Sequence, residues 1–157
     1  MSGARLTPGS GQVNVATGVP VLDHLLTELA LAGRFDLSLE IEPDEPAAEV
    51  DAAGVAIGRA LVPLLRAGAH GNGVMLSAEA LAMVVVEATG GSLVVSNADL
   101  TGAGGLRTDL AARFLGSLAD AAALSLHVRL IEGENTDHVL EAIFKALGVA
   151  LAEALDR

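Results

Sequence analysis

Asp137, His138 and Glu141 open one segment of this chain, and His127 lies a short way upstream in a run of apolar residues. On a helix, His138 and Glu141 are three positions apart and Asp137 and Glu141 four, so either pair shares a face. Imidazole nitrogen together with carboxylate oxygen is what a borderline or hard divalent cation takes as ligands. His127 alternates with Leu126 and Val128, which puts its side chain on one face of a strand. The same residues also suit a purely structural role. Asp137 or Thr136 can cap a helix, acidic residues are favoured in a first turn by the helix dipole, and His127 can be a hydrogen-bonded strand residue. Spacing alone leaves both readings open.

The elements that would carry these residues can be read from periodicity. Residues 1–10 lack a pattern and are expected to be disordered. A short strand is expected at 12–16, a helix at 19–32 and an alternating strand at 35–42, followed by a turn at PDEP. A helix follows at 47–66, its apolar face traced by Val50, Ala53, Ile57, Leu61 and Leu64. A glycine-rich turn at 68–73 leads to strands near 76–88 and 92–97, with Gly90-Gly91 as a hairpin signal. A glycine-rich loop at 102–105, a helix at 108–122, the His127 strand and a final helix complete the order.

LSLEIE from Leu37 recurs as LSLHVR from Leu124, and VDAAGVAIGRAL from Val50 aligns with LEAIFKALGVAL from Leu140. The reading is therefore an α+β fold, with internally duplicated strand-helix units layered as sheet and helix in a single domain spanning 11–157. Its two pseudo-repeats cover about 11–75 and 76–157.

Bulk properties narrow the function. The chain has 157 residues, enough for one domain with a core, and no cysteine, which removes disulfide and thiol chemistry. Nine Lys and Arg stand against twenty Asp and Glu, a formal charge of −11, so nucleic-acid phosphates would be repelled. Only three Phe and no Trp or Tyr are present, leaving no platform for stacking bases. The N-terminal residues lack the apolar core of a signal peptide and no long uncharged apolar run exists, so a soluble cytoplasmic protein with no membrane contact is expected. The hydrophobic share of 52% points to subunit contacts or to alanine richness.

From His127 onward the sequence resembles the C-terminal signature of the imidazoleglycerol-phosphate dehydratase family, H-x-R-x(3)-G-x-N-x-H-H-x(2)-E-x(2)-F-K. It matches at His127, Arg129, Gly133, Asn135, His138, Glu141, Phe144 and Lys145, and has Asp137 where the family has the first of two histidines. VLDHLL around His24, GRFDL from Gly33 and AEAL from Ala78 are similar to further family motifs in the same order. The resemblance implies a duplicated fold like the second domain of ribosomal protein S5 and a large homo-oligomeric shell built from trimers. It also implies paired manganese ions held by six histidines and two glutamates, and a small phosphorylated imidazole as ligand.

By that resemblance the metal positions are His24, His127, His138 and Glu141, with Asp51 and Asp137 as substitutes, while Ala47 and Ala48 stand where the family has a double histidine. The family aspartate beside Asp51 is Ala52, and an active-site histidine is Ala32. Two phosphate-binding arginines correspond to Ala69 and Gly91, and no counterpart of the family's R-x-T-x-E-T strand or S-x-K segment is read here. Lys145 remains as a phosphate or carboxylate contact. The expectation is a dehydratase-like pseudoenzyme, non-catalytic or impaired, that keeps its scaffold. Two alternatives stand beside it: a working hydro-lyase of histidine biosynthesis with a depleted metal site, and a binding module built on His24, His127, His138 and Glu141. His70, in HGNG, reads as an exposed loop histidine.

Overall fold

The computed structural model describes residues 2–98 and 108–155. Its elements run β1 (Gly3–Pro8), β2 (Val13–Ala16), α1 (Pro20–Gly33), β3 (Phe35–Glu40), α2 (Pro46–Leu61), a 3-10 turn (Val62–Leu64), β4 (His70–Ser77), β5 (Ala80–Glu87), β6 (Leu93–Ser96), α3 (Thr108–Ala122), β7 (Ser125–Glu132) and α4 (Thr136–Leu155). One sheet has the order β1-β3-β2 and the other β4-β5-β7-β6. In each, a parallel pair (β2 with β3, β6 with β7) is joined by a crossover helix, and an antiparallel strand flanks it on the other side. The helices lie between the sheets: α1 packs on α4, α2 on α3, and each pair closes over the sheets of its own halves. Mixed α+β layering with internal duplication is thus as the sequence implies.

The duplication is seen in backbone detail. α1 ends in Arg34 and α3 in Ala123, both left-handed (φ 56° in each), and each is followed directly by a buried residue, Phe35 at the start of β3 and Leu124 just before β7. The matched positions are therefore Phe35 with Leu124 and Leu37 with Leu126. This corrects the strand register read from sequence, which set Leu37 against Leu124. A slip of two residues preserves which face each side chain occupies, so alternation alone cannot detect it. The helix register stands: Val50 of α2 matches Leu140 of α4, and both are buried.

Three further expectations are corrected. Residues 1–10 are not featureless: Gly3–Pro8 pairs along the whole of β3 and buries Leu6, its unpatterned polar residues lying on the solvent face. The glycine-rich stretch read as a turn over 68–73 is turn only at its start: His70–Gly73 is already strand, so His70 is an exposed strand residue rather than a loop histidine. Gly71 and Gly73 leave no side chain because α4 lies directly against β4, where a Cβ would meet the carbonyls of Ala150 and Ala146. The hairpin of this half turns at Ala78-Glu79, with Ala78 left-handed (φ 50°), and not at Gly90-Gly91; β6 pairs with β7 instead of β5. The glycine-rich loop at 102–105 lies outside the described residues.

The helix layers meet closely enough to require glycine. A Cβ on Gly148 would strike the carbonyl of Leu29 in α1, and one on the matched Gly58 would lie 2.6 Å from the Cβ of Ala121 in α3. Phe114 and Phe144 fill the centre of the core with ring centroids 5.6 Å apart. Gly148→Ala is expected to destabilise by roughly 1–3 kcal/mol, since backbone rather than a side-chain tip must give way. Gly116→Ala in α3, where nothing lies within 4 Å of the added methyl, is expected to stabilise by roughly 0.5–1 kcal/mol. Urea unfolding of both variants checks the contrast.

Candidate functional site

His24 stands one turn into α1. The turn before this helix is fixed by Asp23, whose Oδ1 accepts from the Thr17 backbone N–H at 2.9 Å, and Pro20 supplies the first helical φ. Because α1 and α4 cross closely, His24 reaches Glu141 in the first turns of α4: Nε2 and Oε2 are 2.6 Å apart. Ser77, buried at the end of β4, donates to the other oxygen, Oε1, at 2.6 Å. Glu28, one turn beyond His24, brings Oε1 to 3.9 Å from the same imidazole nitrogen. His24, Glu28 and Glu141 thus present three ligand atoms within 4.8 Å of one another, the one such group among the described residues. His24 and Glu141 border a cleft of about 360 Å³ that Asp137, Val21 and Leu140 help to line.

The Ser77 hydroxyl first, and the His24 contact second, hold the Glu141 carboxyl below the usual carboxylate range, against the opposing effect of partial burial. It is ionised at neutral pH. Lys145, one turn further along α4, is directed by its Nζ to the Leu76 carbonyl at 3.4 Å.

His138 does not join this group. Its Nδ1 lies 2.6 Å from Oε1 of Glu79, the second residue of the β4-β5 turn. That contact is the main cause of a Glu79 pKa lowered to about 2. The start of α4 is capped by Asn135, whose side-chain oxygen accepts from the N–H groups of Asp137 at 3.0 Å and His138 at 3.2 Å. The capping role expected for Thr136 or Asp137 therefore belongs to Asn135, one position earlier.

The duplication gives the site a counterpart. His24, Glu28 and Glu141 match Arg113, Ser117 and Asp51 in the other helix pair. There Arg113 donates from Nε to Oδ1 and Oδ2 of Asp51, each at 2.9 Å, with a third contact from its terminal nitrogen to Oδ2 at 2.9 Å, and Ser117 donates to Oδ1 at 2.9 Å. The guanidinium is the main cause of a lowered Asp51 pKa. Where the α1-α4 pair could gather a cation among three side chains, the α2-α3 pair has a cation covalently built in. Ala47 and Ala48 begin this second helix half-buried and offer no ligand atom. His127 is exposed on the outer face of the second sheet, paired across strands with Val85 and Val95, and belongs to neither group. Sequence reasoning missed Glu28, Ser77 and Glu79. The four-residue step from His24 to Glu28 was a usable signal; the reach of Ser77 and Glu79 across a hairpin to α4 was not.

The model of the imidazoleglycerol-phosphate dehydratase family matches residues 17–151. Imidazoleglycerol-phosphate dehydratases of Bacillus cereus and Bacillus anthracis are 36% identical over 154 residues, 92% of this chain and 79% of theirs. The crystal structure of imidazoleglycerol-phosphate dehydratase from Staphylococcus aureus matches at a TM-score of 0.85 and 30% identity, covering 97% of this chain and 91% of that one. The enzyme from Pyrococcus furiosus matches at 0.83 and 25%, over 96% and 85%.

A carboxyl whose pKa is lowered on folding stabilises the fold at pH above its unfolded value, and that contribution is lost as pH falls through the folded value. For Glu79 the window runs from 4.5 down to about 2. Carboxyl-carbon NMR of Glu79 is expected to titrate near 2 and to move back toward 4.5 in His138→Ala; a midpoint unmoved by that substitution would mean the contact does not hold the carboxylate.

Proposed function

Because this chain belongs to the imidazoleglycerol-phosphate dehydratase family, we propose that it is a catalytically impaired member that keeps one cation position of the family's two. The observation that carries this reading is the Arg113-Asp51 ion pair, formed where the matched positions of the other helix pair present His24 and Glu141. Arginine is charged at every working pH and has no lone pair to offer. A guanidinium seated on the Asp51 carboxylate competes with any ion for it, and Ala47 and Ala48 add nothing in return.

The donor set fits a divalent ion such as manganese on one side only. His24, Glu28 and Glu141 would hold it with one nitrogen and two carboxylate oxygens, a mixture suited to such an ion. When bound, the ion supplies positive charge beside an anion that develops during dehydration. The protein's own part is orientation: Ser77 fixes Oε1 of Glu141 and leaves Oε2 facing His24. Lys145 is turned to the Leu76 carbonyl, and Ala69 and Gly91 replace the arginines that the resemblance expects for phosphate. An acidic chain without those anchors holds a phosphorylated imidazole weakly, and positioning and charge stabilisation fail together.

With saturating Mn²⁺, turnover of imidazoleglycerol phosphate is expected far below the common enzyme range of about 1 to 10³ per second; a rate inside that range sinks the proposal. Calorimetric titration with Mn²⁺ is expected to give at most one ion per chain, with binding abolished in Glu141→Gln and weakened at least about tenfold in Glu28→Gln, as loss of a direct ligand exceeds the usual cost of losing its supporting partner. Two ions per chain would show that the Asp51 side still binds.

A further inference from the structure

The two sheets differ by one strand. β3 matches β7, β2 matches β6 and β1 matches β5, so β4 has no counterpart in the first sheet, where β1 is paired on one side only. In the second sheet β4 bonds along β5 and packs over α4, whose Ala146 and Ala150 are fully buried beneath Gly73 and Gly71. The register that sets Val50 against Leu140 carries Ala146 to Ala56 and Ala150 to Ala60, and both of these are only half-buried. Likewise Val84 of β5 is fully buried, while the matched Ala4 of β1 is half-buried. A cleft of about 350 Å³ runs between β1 and α2, lined by Gly3, Ala4, Ala52, Ala56, Arg59 and Ala60. It occupies the place against β1 and α2 that β4 takes against β5 and α4, and it is open among the described residues.

We infer that this cleft receives an extended segment of another polypeptide, which adds to β1 as an antiparallel fourth strand. An unpaired strand edge presents backbone donors and acceptors in a row, the basis of recognition by strand addition. β4 shows which side chains fit. Its Gly71 and Gly73 pair with Val86 and Val84, the matches of Leu6 and Ala4, and a Cβ at either glycine would strike a carbonyl of α4. The incoming strand therefore carries glycine at two positions two residues apart, facing Ala56 and Ala60. Between those glycines β4 has Asn72, opposite Val85. The matched residue of β1 is Arg5, exposed on the outer face. An acidic side chain in the incoming strand meets that guanidinium directly across the strands, so the occupant is a glycine-acid-glycine segment. A second β1 does not qualify, because two such edges paired about Arg5 set like charges opposite each other. The inference is independent of the catalytic reading.

The probe is a fluorescein-labelled peptide with the β4 sequence, His70–Ser77, carrying Asn72→Glu. Anisotropy titration with the whole wild-type chain is expected to show saturable binding in the micromolar range. Gly71→Val with Gly73→Val in the peptide is expected to weaken it at least about tenfold, since the added side chains have no room against α2. In the protein, Ala56→Phe fills the cleft and is expected to abolish binding. Should that variant fail to fold, Arg5→Glu at the exposed edge takes its place: it is expected to weaken the acidic peptide several-fold, and a peptide carrying Asn72→Lys to restore binding. A wild-type chain that does not bind the acidic peptide overturns the inference, including the case in which a segment of the chain itself fills the cleft. So does binding that neither Ala56→Phe nor Arg5→Glu changes, which would put the peptide elsewhere. Self-assembly that Ala56→Phe abolishes, measured by sedimentation, would give the cleft to a second copy and overturn it as well.

Discussion

The site depends on how closely α1 and α4 approach. With Gly148 against the backbone of Leu29 and Gly33 against the carbonyl of Gly148, the two helix axes pass nearer than any side chain would permit. That proximity lets a histidine in one helix and a glutamate in the other meet directly at 2.6 Å. Side-chain reach is the limiting quantity: a helix pair spaced by ordinary core residues would leave His24 and Glu141 to water. The same constraint acts in the other helix pair, where Gly54 and Gly58 bring α2 to α3 and Asp51 to Arg113. Packing and chemistry are therefore one arrangement, used twice.

The loss of ligands at the α2-α3 pair is a replacement rather than a gap. A carboxylate at the start of a helix, held by a hydroxyl and facing a neighbouring helix, needs a positive or proton-donating partner to offset its partial burial. Glu141 has Ser77 and His24, and Asp51 has Ser117 and Arg113. The second set asks nothing of solution conditions, whereas the first can exchange its partner. Divergence within one fold has made one end permanent and left the other open to choice.

Much of this was legible in the sequence. The α2 and α4 apolar faces, the α1 helix around His24 and the motif from His127 to Lys145 gave the layers and the family, because long periodic segments carry the strongest local signal. What failed was pairing. β4 was hidden by Gly71 and Gly73, glycines that read as turn residues when isolated but exist because α4 covers that strand. β1 was hidden by its polar outward residues. His138 and Glu141 share a helix face by spacing, yet they part to Glu79 and Ser77, since a two-residue turn places those side chains on either side of the helix start. Such contacts span 59 and 64 positions along the chain, and no local pattern encodes them.

That two-residue turn has a consequence for how the chain could be remodelled. Exposed loop tips are ordinarily where insertions and new termini are accepted, and Ala78-Glu79 has the look of one. Ser77 before it and Glu79 within it are both committed to side chains of α4, and Glu79 also accepts from the Asn135 N–H at 3.2 Å. Added length there would unfasten the first turn of α4 from the sheet. Gly90-Gly91 is the opposite case: a Cβ on Gly90 meets nothing within 4 Å, and one on Gly91 only the Thr89 hydroxyl at 3.9 Å. A graft, a tag or a circular permutation belongs at the glycines, tied to the end of α3 by a single backbone hydrogen bond from Gly90 to the Ala123 carbonyl, and the sharper turn is the clasp to leave closed.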